Sequence, residues 1–192
     1  MDRTLFDRAG DRKYLTQKER ELILSTAAGG AGELRTLIGV LVHTGCRISE
    51  ALALTADRVD LREGVIVFES LKKRKRGVFR AVPVPPKLLD ELQLVHRIRE
   101  TESRRGRKVP LWTMSRVTAW RQIKALLQEA GIGQGVAATP KGLRHGFGVA
   151  AVTAGIPLNL VQRWLGHAQL STTAIYADAV GTEEKTIAAR MW

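Results

Sequence analysis

Tyr176 lies in a polar, threonine-rich stretch nine positions after His167, although the chain has only two tyrosines. A phenol in such a stretch has the chemistry of a nucleophile that attacks a phosphodiester. Phosphoryl transfer also needs fixed cationic donors for the nonbridging oxygens, and the planar, permanently charged guanidinium of arginine suits this role. A leaving 5′ oxygen needs a proton, for which lysine or histidine is suitable. Tyr176 as a nucleophile therefore requires arginines and a lysine nearby.

Separate segments of the chain supply these partners. Arg47 lies in TGCRISEAL, several lysines lie in LKKRKRGVFRAVPVP, and Arg144 lies in LRHGFG. In this order, and followed by LGH with a tyrosine nine residues on, they resemble the two arginine boxes and the C-terminal signature of the tyrosine recombinase, or phage integrase, family. The resemblance spans residues 41–176. It implies the catalytic-domain fold of that family, mainly α with a small antiparallel β-hairpin or sheet (α+β).

The resemblance also implies a role for each matching residue. Arg47 and Arg144 would clamp the scissile phosphate, and Tyr176 would attack it to form a 3′-phosphotyrosyl link. His167 would hydrogen-bond a nonbridging oxygen, and Glu50, one helical turn after Arg47, would orient that arginine. The chemistry would need no metal, ATP or other cofactor. The partner would be double-stranded DNA, bound by a homotetramer during recombination.

The lysines are less clearly assigned. Lys141 stands three positions before Arg144, where the family usually has histidine. An ammonium can donate to phosphate but is a poor proton acceptor at neutral pH unless it is buried. The proton donor to the leaving oxygen is expected from the basic hairpin: Lys75 by counting back from Val82, or Lys72 or Lys73 if the tip is longer.

The charge of the whole chain agrees with a polyanionic partner. Lysine and arginine number 31 against 19 acidic residues, which gives a net charge of +12 and favours nucleic acid. The hairpin carries a cluster of candidate DNA contacts: Lys72, Lys73, Arg74, Arg76 and Arg80.

One cysteine, Cys46, excludes an internal disulfide, and no cysteine and histidine spacing indicates zinc. Neither a signal peptide nor an apolar run of about 18 residues is present, so we expect a cytoplasmic protein without a membrane partner.

Local signals predict the elements that position these residues. Thr16 and Glu19 form a capping-box pattern at the start of a helix, and Gly45 is placed to end a second helix just before Arg47. Two β-branched segments on either side of KKRKR predict a two-stranded hairpin. Thr139 followed by Pro140 predicts the start of the helix that carries Arg144. We expect an N-terminal arm at residues 1–14, a catalytic domain at 15–192 and no N-terminal core-binding domain.

Alternatives remain at the level of function and of single residues. Strand cleavage and rejoining for the integration, excision or resolution of a mobile element is the leading hypothesis. A topoisomerase-like relaxing enzyme would use the same residues, and a DNA-binding regulatory module could keep the fold without cutting. Arg47 could form only a salt bridge with Glu50, His167 could be a helix cap, and Tyr176 could be a half-buried core residue. His145 is expected to pack or hydrogen-bond rather than to catalyse.

Overall fold

The computed structural model describes residues 4–70, 77–102, 108–133, 135–177, 188–189 and 191. The helices are α1 (Gln17–Ala28), α2 (Gly32–Thr44), α3 (Ile48–Leu52), α4 (Pro86–His96), α5 (Ile98–Glu102), α6 (Arg116–Glu129), α7 (Pro140–Thr153), α8 (Leu158–Leu165) and α9 (Ser171–Ala174). The strands are β1 (Val59–Asp60), β2 (Val65–Glu69) and β3 (Phe79–Pro83). The predicted fold class, mainly α with a small antiparallel sheet, is confirmed.

The predicted helix starts are present. The Thr16 hydroxyl accepts from the Glu19 N–H while the Glu19 carboxylate accepts from the Thr16 N–H, which is the capping box expected at the start of α1. The Thr139 hydroxyl accepts from the Gly142 N–H, and Pro140 is the first residue of α7. Since Thr139 and Pro140 set where α7 begins, they also set the helical register of Arg144.

The end of α2 matters most for the site. Gly45 has φ of +59° and donates its N–H to the carbonyl of Leu41. This left-handed conformation is strained for residues with a Cβ, and a Cβ here would also lie 2.5 Å from the ring of Phe147. Gly45 therefore lets the chain turn sharply from α2 into α3, and that turn presents Arg47.

The sheet has one strand more than expected. β2 and β3 form the predicted antiparallel hairpin, with Ile66 opposite Val82, and the short β1 pairs with the other edge of β2. β1 is two residues long and follows a 3₁₀ turn, so its sequence is too short to show the alternation that predicts a strand. The basic tip at 71–76 lies outside the described residues.

Two clusters of buried side chains make up the interior. The larger one joins α1, α2, α4, α6 and the sheet. The smaller one packs under α7, α8 and α9, and it includes Leu5 and Tyr14, which precede α1, together with Phe147, Leu165 and Tyr176. In the part of the chain described, no helix is both long and apolar enough to cross a membrane.

Candidate active site

Arg47 is presented by the corner between α2 and α3. It is the N-cap residue of α3, and its backbone N–H donates to Glu50 Oε2 at 2.9 Å while its Nη1 donates to Oε1 at 2.7 Å. The Glu50 side chain is fully buried, whereas the Arg47 side chain is 22% exposed. The buried carboxylate of Glu50 therefore orients Arg47 from the protein interior. The remaining N–H groups of the Arg47 guanidinium are available to a ligand.

Arg80 corrects one expectation. Instead of contacting DNA from the hairpin surface, it is buried, and its Nη2 donates to Glu50 Oε2 at 2.7 Å while its Nε donates to the Trp164 carbonyl at 2.7 Å. The reason is the period of the strand: along β3, Arg80 and Val82 point inward, whereas Phe79 and Ala81 point outward. Arg80 therefore links the sheet, α3 and the end of α8.

Burial alone would raise the pKa of Glu50. The hydrogen bond and charge of Arg80, followed by those of Arg47, outweigh this effect and hold the pKa of Glu50 below its ordinary value. Glu50 is therefore ionised at neutral pH and is shared between two arginines.

Arg144 is anchored by two helix ends. Its Nη1 donates to the Gly45 carbonyl and its Nη2 to the Leu165 carbonyl, each at 2.7 Å. Both carbonyls lie at the C-terminal ends of helices, α2 and α8, where backbone oxygens lack helical partners and the helix dipole favours a cation. Burial, followed by the charge of Arg47, lowers the pKa of Arg144 to about 10. It keeps its positive charge at neutral pH. Arg47, Glu50, Arg80 and Arg144 are called the arginine cradle below.

His167 follows Gly166, which ends α8 in the left-handed conformation with φ of +66°. Its Nδ1 hydrogen-bonds with Thr173 Oγ1 at 2.9 Å. Burial, followed by the charges of Arg144 and Arg47, lowers the pKa of His167 to about 3, so the ring is neutral at pH 7. If Nδ1 accepts the hydroxyl proton of Thr173, Nε2 carries the ring proton and can donate it in a hydrogen bond to an anion.

Tyr176 lies in the turn after α9 and is 1% exposed. Its hydroxyl hydrogen-bonds with His145 Nδ1 at 3.2 Å, and its ring lies nearly parallel to that of His167, with centroids 6.3 Å apart. Burial raises the pKa of Tyr176 to about 12, although the charges of Arg144 and Arg47 act in the opposite direction. Tyr176 is therefore a buried side chain, although its neighbours in the sequence are polar.

The structure thus brings together Arg47, Arg144, His167 and Tyr176, with Glu50 beneath the first arginine. Lys141 lies in the first turn of α7 and is exposed, and its charge contributes to lowering the pKa of His145. The remaining predicted cations, Lys72, Lys73, Arg74, Lys75 and Arg76, lie outside the described residues. Within the described ranges, no three histidine, cysteine or acidic side chains are grouped so that they could hold a metal ion.

Comparison with known protein families agrees with this arrangement. The model of the phage integrase family matches residues 13–182, which is most of the chain and includes every described site residue. The chain belongs to the phage integrase family. Its curated relatives include tyrosine recombinase XerA of Thermococcus kodakarensis, 36% identical over 85% of this chain and 57% of the relative. Tyrosine recombinase XerD of Pseudomonas aeruginosa is 34% identical over 81% of this chain and 53% of the relative.

Solved structures support the same family fold. A XerA recombinase crystal structure superposes with a TM-score of 0.77 at 27% identity, over 93% of this chain and 64% of that one. The catalytic domain of bacteriophage HP1 integrase superposes with a TM-score of 0.66 over 92% of this chain and 93% of that one. At 20% identity, this second likeness shows the fold alone. The chain spans about half the length of the curated relatives it matches.

Proposed function

We propose that this chain is the catalytic part of a tyrosine recombinase that cleaves and rejoins double-stranded DNA, with residues 15–192 as the catalytic domain. One observation carries the proposal: two arginines, a neutral histidine and a tyrosine from four separate segments meet at one place. Membership of the family supports it, as do relatives named as tyrosine recombinases. A XerH recombinase bound to its difH DNA shares the fold.

In the proposed cleavage step, Tyr176 Oη forms a bond to phosphorus and the bond from phosphorus to the 5′ oxygen breaks. The phenol proton passes to solvent water, and the 5′ oxygen takes a proton from a hairpin lysine, for which Lys75 is preferred over Lys72 and Lys73. The 5′ hydroxyl of a second strand reverses the step and rejoins the DNA. Since the ester keeps the energy of the broken bond, the reaction needs no nucleotide cofactor.

The arginine cradle supplies the charge that this step requires. Arg144 and Arg47 would bind the nonbridging oxygens, where negative charge accumulates in the transition state. Neutral His167 would add an Nε2–H donor. Because helix ends and a buried carboxylate already fix both arginines, little reorganisation is needed when the phosphate arrives.

Lys141 has a smaller proposed role. Its ammonium is exposed, so it would donate to DNA rather than accept the phenol proton. Lys141→Ala should therefore weaken DNA binding and make binding less dependent on salt. It should change the rate of cleavage of bound DNA little.

The proposal is tested by a search for covalent adducts. Native protein and Tyr176→Phe are incubated at low salt with a nicked duplex library of random sequence, and SDS-resistant complexes are recovered and sequenced. We expect adducts from the native chain alone, with similar noncovalent affinity for both proteins. Tyr14→Phe is the matched control, because it removes the other tyrosine and should leave the adducts in place. Equal adduct yield from Tyr176→Phe would exclude Tyr176 as the nucleophile.

A second candidate function is a DNA-binding module that does not cut. The observation favouring it is the burial of Tyr176, whose raised pKa makes it a poor nucleophile as it stands. Retained DNA binding without any adduct would support this candidate.

If adducts form, product topology separates recombination from relaxation, because recombinants require two sites and relaxation requires one. We propose recombination by a tetramer that serves a mobile element.

A further inference from the structure

Arg80 lies between the two sides of the proposed phosphate site. Its Nη2 donates to Glu50 Oε2 at 2.7 Å, and Glu50 in turn accepts from Arg47. Its Nε donates at 2.7 Å to the carbonyl of Trp164, three positions before His167. These two contacts join residues 30 and 84 positions apart in the chain. One guanidinium group therefore connects the support of Arg47 to the segment that carries His167.

The backbone just before His167 lies against the Arg80 guanidinium. Gly166 has φ of +66°, and a Cβ at this position would lie 3.1 Å from Arg80 Nη1 and 3.2 Å from Cζ. The left-handed conformation and the close approach both favour glycine. The Trp164 carbonyl lies in the last turn of α8, where backbone oxygens lack helical partners, and Arg80 supplies the missing donor. Arg80 thus fixes the end of α8 at the point from which His167 is presented.

The balance of charge around Glu50 shows what Arg80 adds. Glu50 is a single carboxylate that accepts from two guanidinium groups, those of Arg47 and Arg80. With Arg47 alone, the carboxylate would offset the charge of its one partner, and Oε2 would be free to draw a further N–H of Arg47 inward. With Arg80 present, the three side chains carry one net positive charge. Because the Arg80 side chain is 6% exposed and that of Arg47 is 22% exposed, Arg47 is the group that presents this charge outward.

The stability of the fold does not account for a guanidinium at position 80. Arg80 Nη1 is buried and has no hydrogen-bond partner among the described residues, and an unpaired buried donor typically costs about 1–3 kcal/mol. Taking a further charge out of water adds to that cost, and an apolar side chain of similar length would avoid both. Burial raises the pKa of Glu50, and Arg80 opposes this effect more strongly than Arg47 does. The buried guanidinium therefore serves the charge balance of the site.

We propose that Arg80 is a positioning residue for DNA cleavage. It balances the charge of Glu50, which leaves the charge of Arg47 available to the phosphate. It also holds the end of α8, which places His167 beside the same phosphate. Arg80 itself does not touch the DNA, since its side chain is buried. The inference rests on the proposed function, because Arg47 and His167 act there as donors to the nonbridging oxygens.

The first experiment compares two DNAs in single-turnover adduct formation at saturating DNA. One carries the scissile phosphodiester located by sequencing the adducts, and the other carries a neutral methylphosphonate in its place. On the phosphodiester, Arg80→Met should react about ten-fold more slowly than the native chain, and Arg80→Lys, which keeps the charge, should recover most of the rate. The methylphosphonate lacks the negative charge that Arg47 would offset, so the loss in Arg80→Met should shrink there to about two-fold.

A role in folding alone predicts a different result. A smaller folded fraction of Arg80→Met would slow the reaction of both DNAs by the same factor, and this outcome would overturn the proposal. Arg62→Met is the matched control, because the Arg62 side chain is 93% exposed and its loss should leave both rates unchanged. If Arg80→Met does not fold, Arg80→Gln takes its place, since glutamine removes the charge but can still hydrogen-bond.

The second experiment separates charge balance from packing. If Arg80 offsets the Glu50 carboxylate, removing that charge by Glu50→Gln in the Arg80→Met background should speed adduct formation about three-fold relative to Arg80→Met alone. A double variant that is no faster than Arg80→Met would overturn the proposal. If the native chain forms no adduct on either DNA, the proposed function fails. If the native chain forms adducts and Arg80→Met forms them equally fast, only the inference about Arg80 fails.

Discussion

The arginine cradle and the surroundings of Tyr176, which include His145 and Gly148 of α7, are built differently. Two of the three cradle arginines have charged hydrogen bonds that join separate elements: Arg144 joins the ends of α2 and α8, and Arg80 joins β3, α3 and α8. The third, Arg47, is hydrogen-bonded to Glu50 within α3. Tyr176 is held by one neutral side-chain hydrogen bond of 3.2 Å and by apolar packing. The difference indicates that charged contacts fix the arginines of the cradle, whereas weaker neutral contacts hold the proposed nucleophile, Tyr176.

The largest effect should come from the carboxylate at the centre of the cradle. Glu50→Gln leaves two arginines without their buried counter-charge, and breaking a buried ion pair in this way typically costs about 3–5 kcal/mol of the free energy of unfolding. Urea denaturation measures the loss. Glu63→Gln is the matched control, because Glu63 is an exposed side chain whose loss should change stability by less than about 0.5 kcal/mol.

The pH dependence of that loss sharpens the comparison. The pKa of Glu50 is lowered in the folded protein, so its stabilising contribution is fully present above the unfolded pKa, about 4.3, and is lost as pH falls through the folded value. The stability difference between native protein and Glu50→Gln should be constant near pH 7 and should narrow only on the acid side. A difference that narrows instead above pH 6 would point to another group.

Arg144→Lys should have the next largest effect, on catalysis. Lysine keeps the charge but lacks the fork that reaches two helix-end carbonyls and a phosphate together. The rate of adduct formation should fall by about 10²–10³-fold, the loss typical of one transition-state donor. Single-turnover kinetics at saturating DNA measures it, and Arg163→Lys, an exposed position on α8, is the control. A loss below about ten-fold would mean that Arg144 only positions DNA.

The sequence predicted the arginine cradle better than the contacts of Tyr176, and the reasons are physical. Helix signals such as Thr139 and Gly45 act locally, so the ends of α2 and α7, and with them Arg47 and Arg144, could be placed from residue types. The inward direction of Arg80 follows from the alternation along β3, in which Arg80 and Val82 share one face. The basic residues of the hairpin favoured a DNA contact for Arg80 instead. The contact between His145 and Tyr176 joins residues 31 positions apart, and no local pattern reports such a tertiary contact. The polar residues around Tyr176 indicated exposure, yet packing against Gly148 buries it.

Thr173→Val should have the smallest effect, because it removes only one neutral hydrogen bond from the site. The Thr173 hydroxyl contacts His167 Nδ1, and valine has the same shape without the polar group. Since a neutral hydrogen bond is worth about 1 kcal/mol, adduct formation should slow by roughly five-fold while DNA affinity stays the same. Thr172→Val, one position earlier on α9, is the control. If Thr173→Val slowed the reaction as much as Arg144→Lys, the neutral hydrogen bond that holds His167 would matter as much as the hydrogen bonds of Arg144, and the distinction between the two regions would fail. A five-fold effect would instead mean that the neutral contacts of the segment after α8, which carries His167 and Tyr176, contribute less to the reaction than the charged contacts of the cradle.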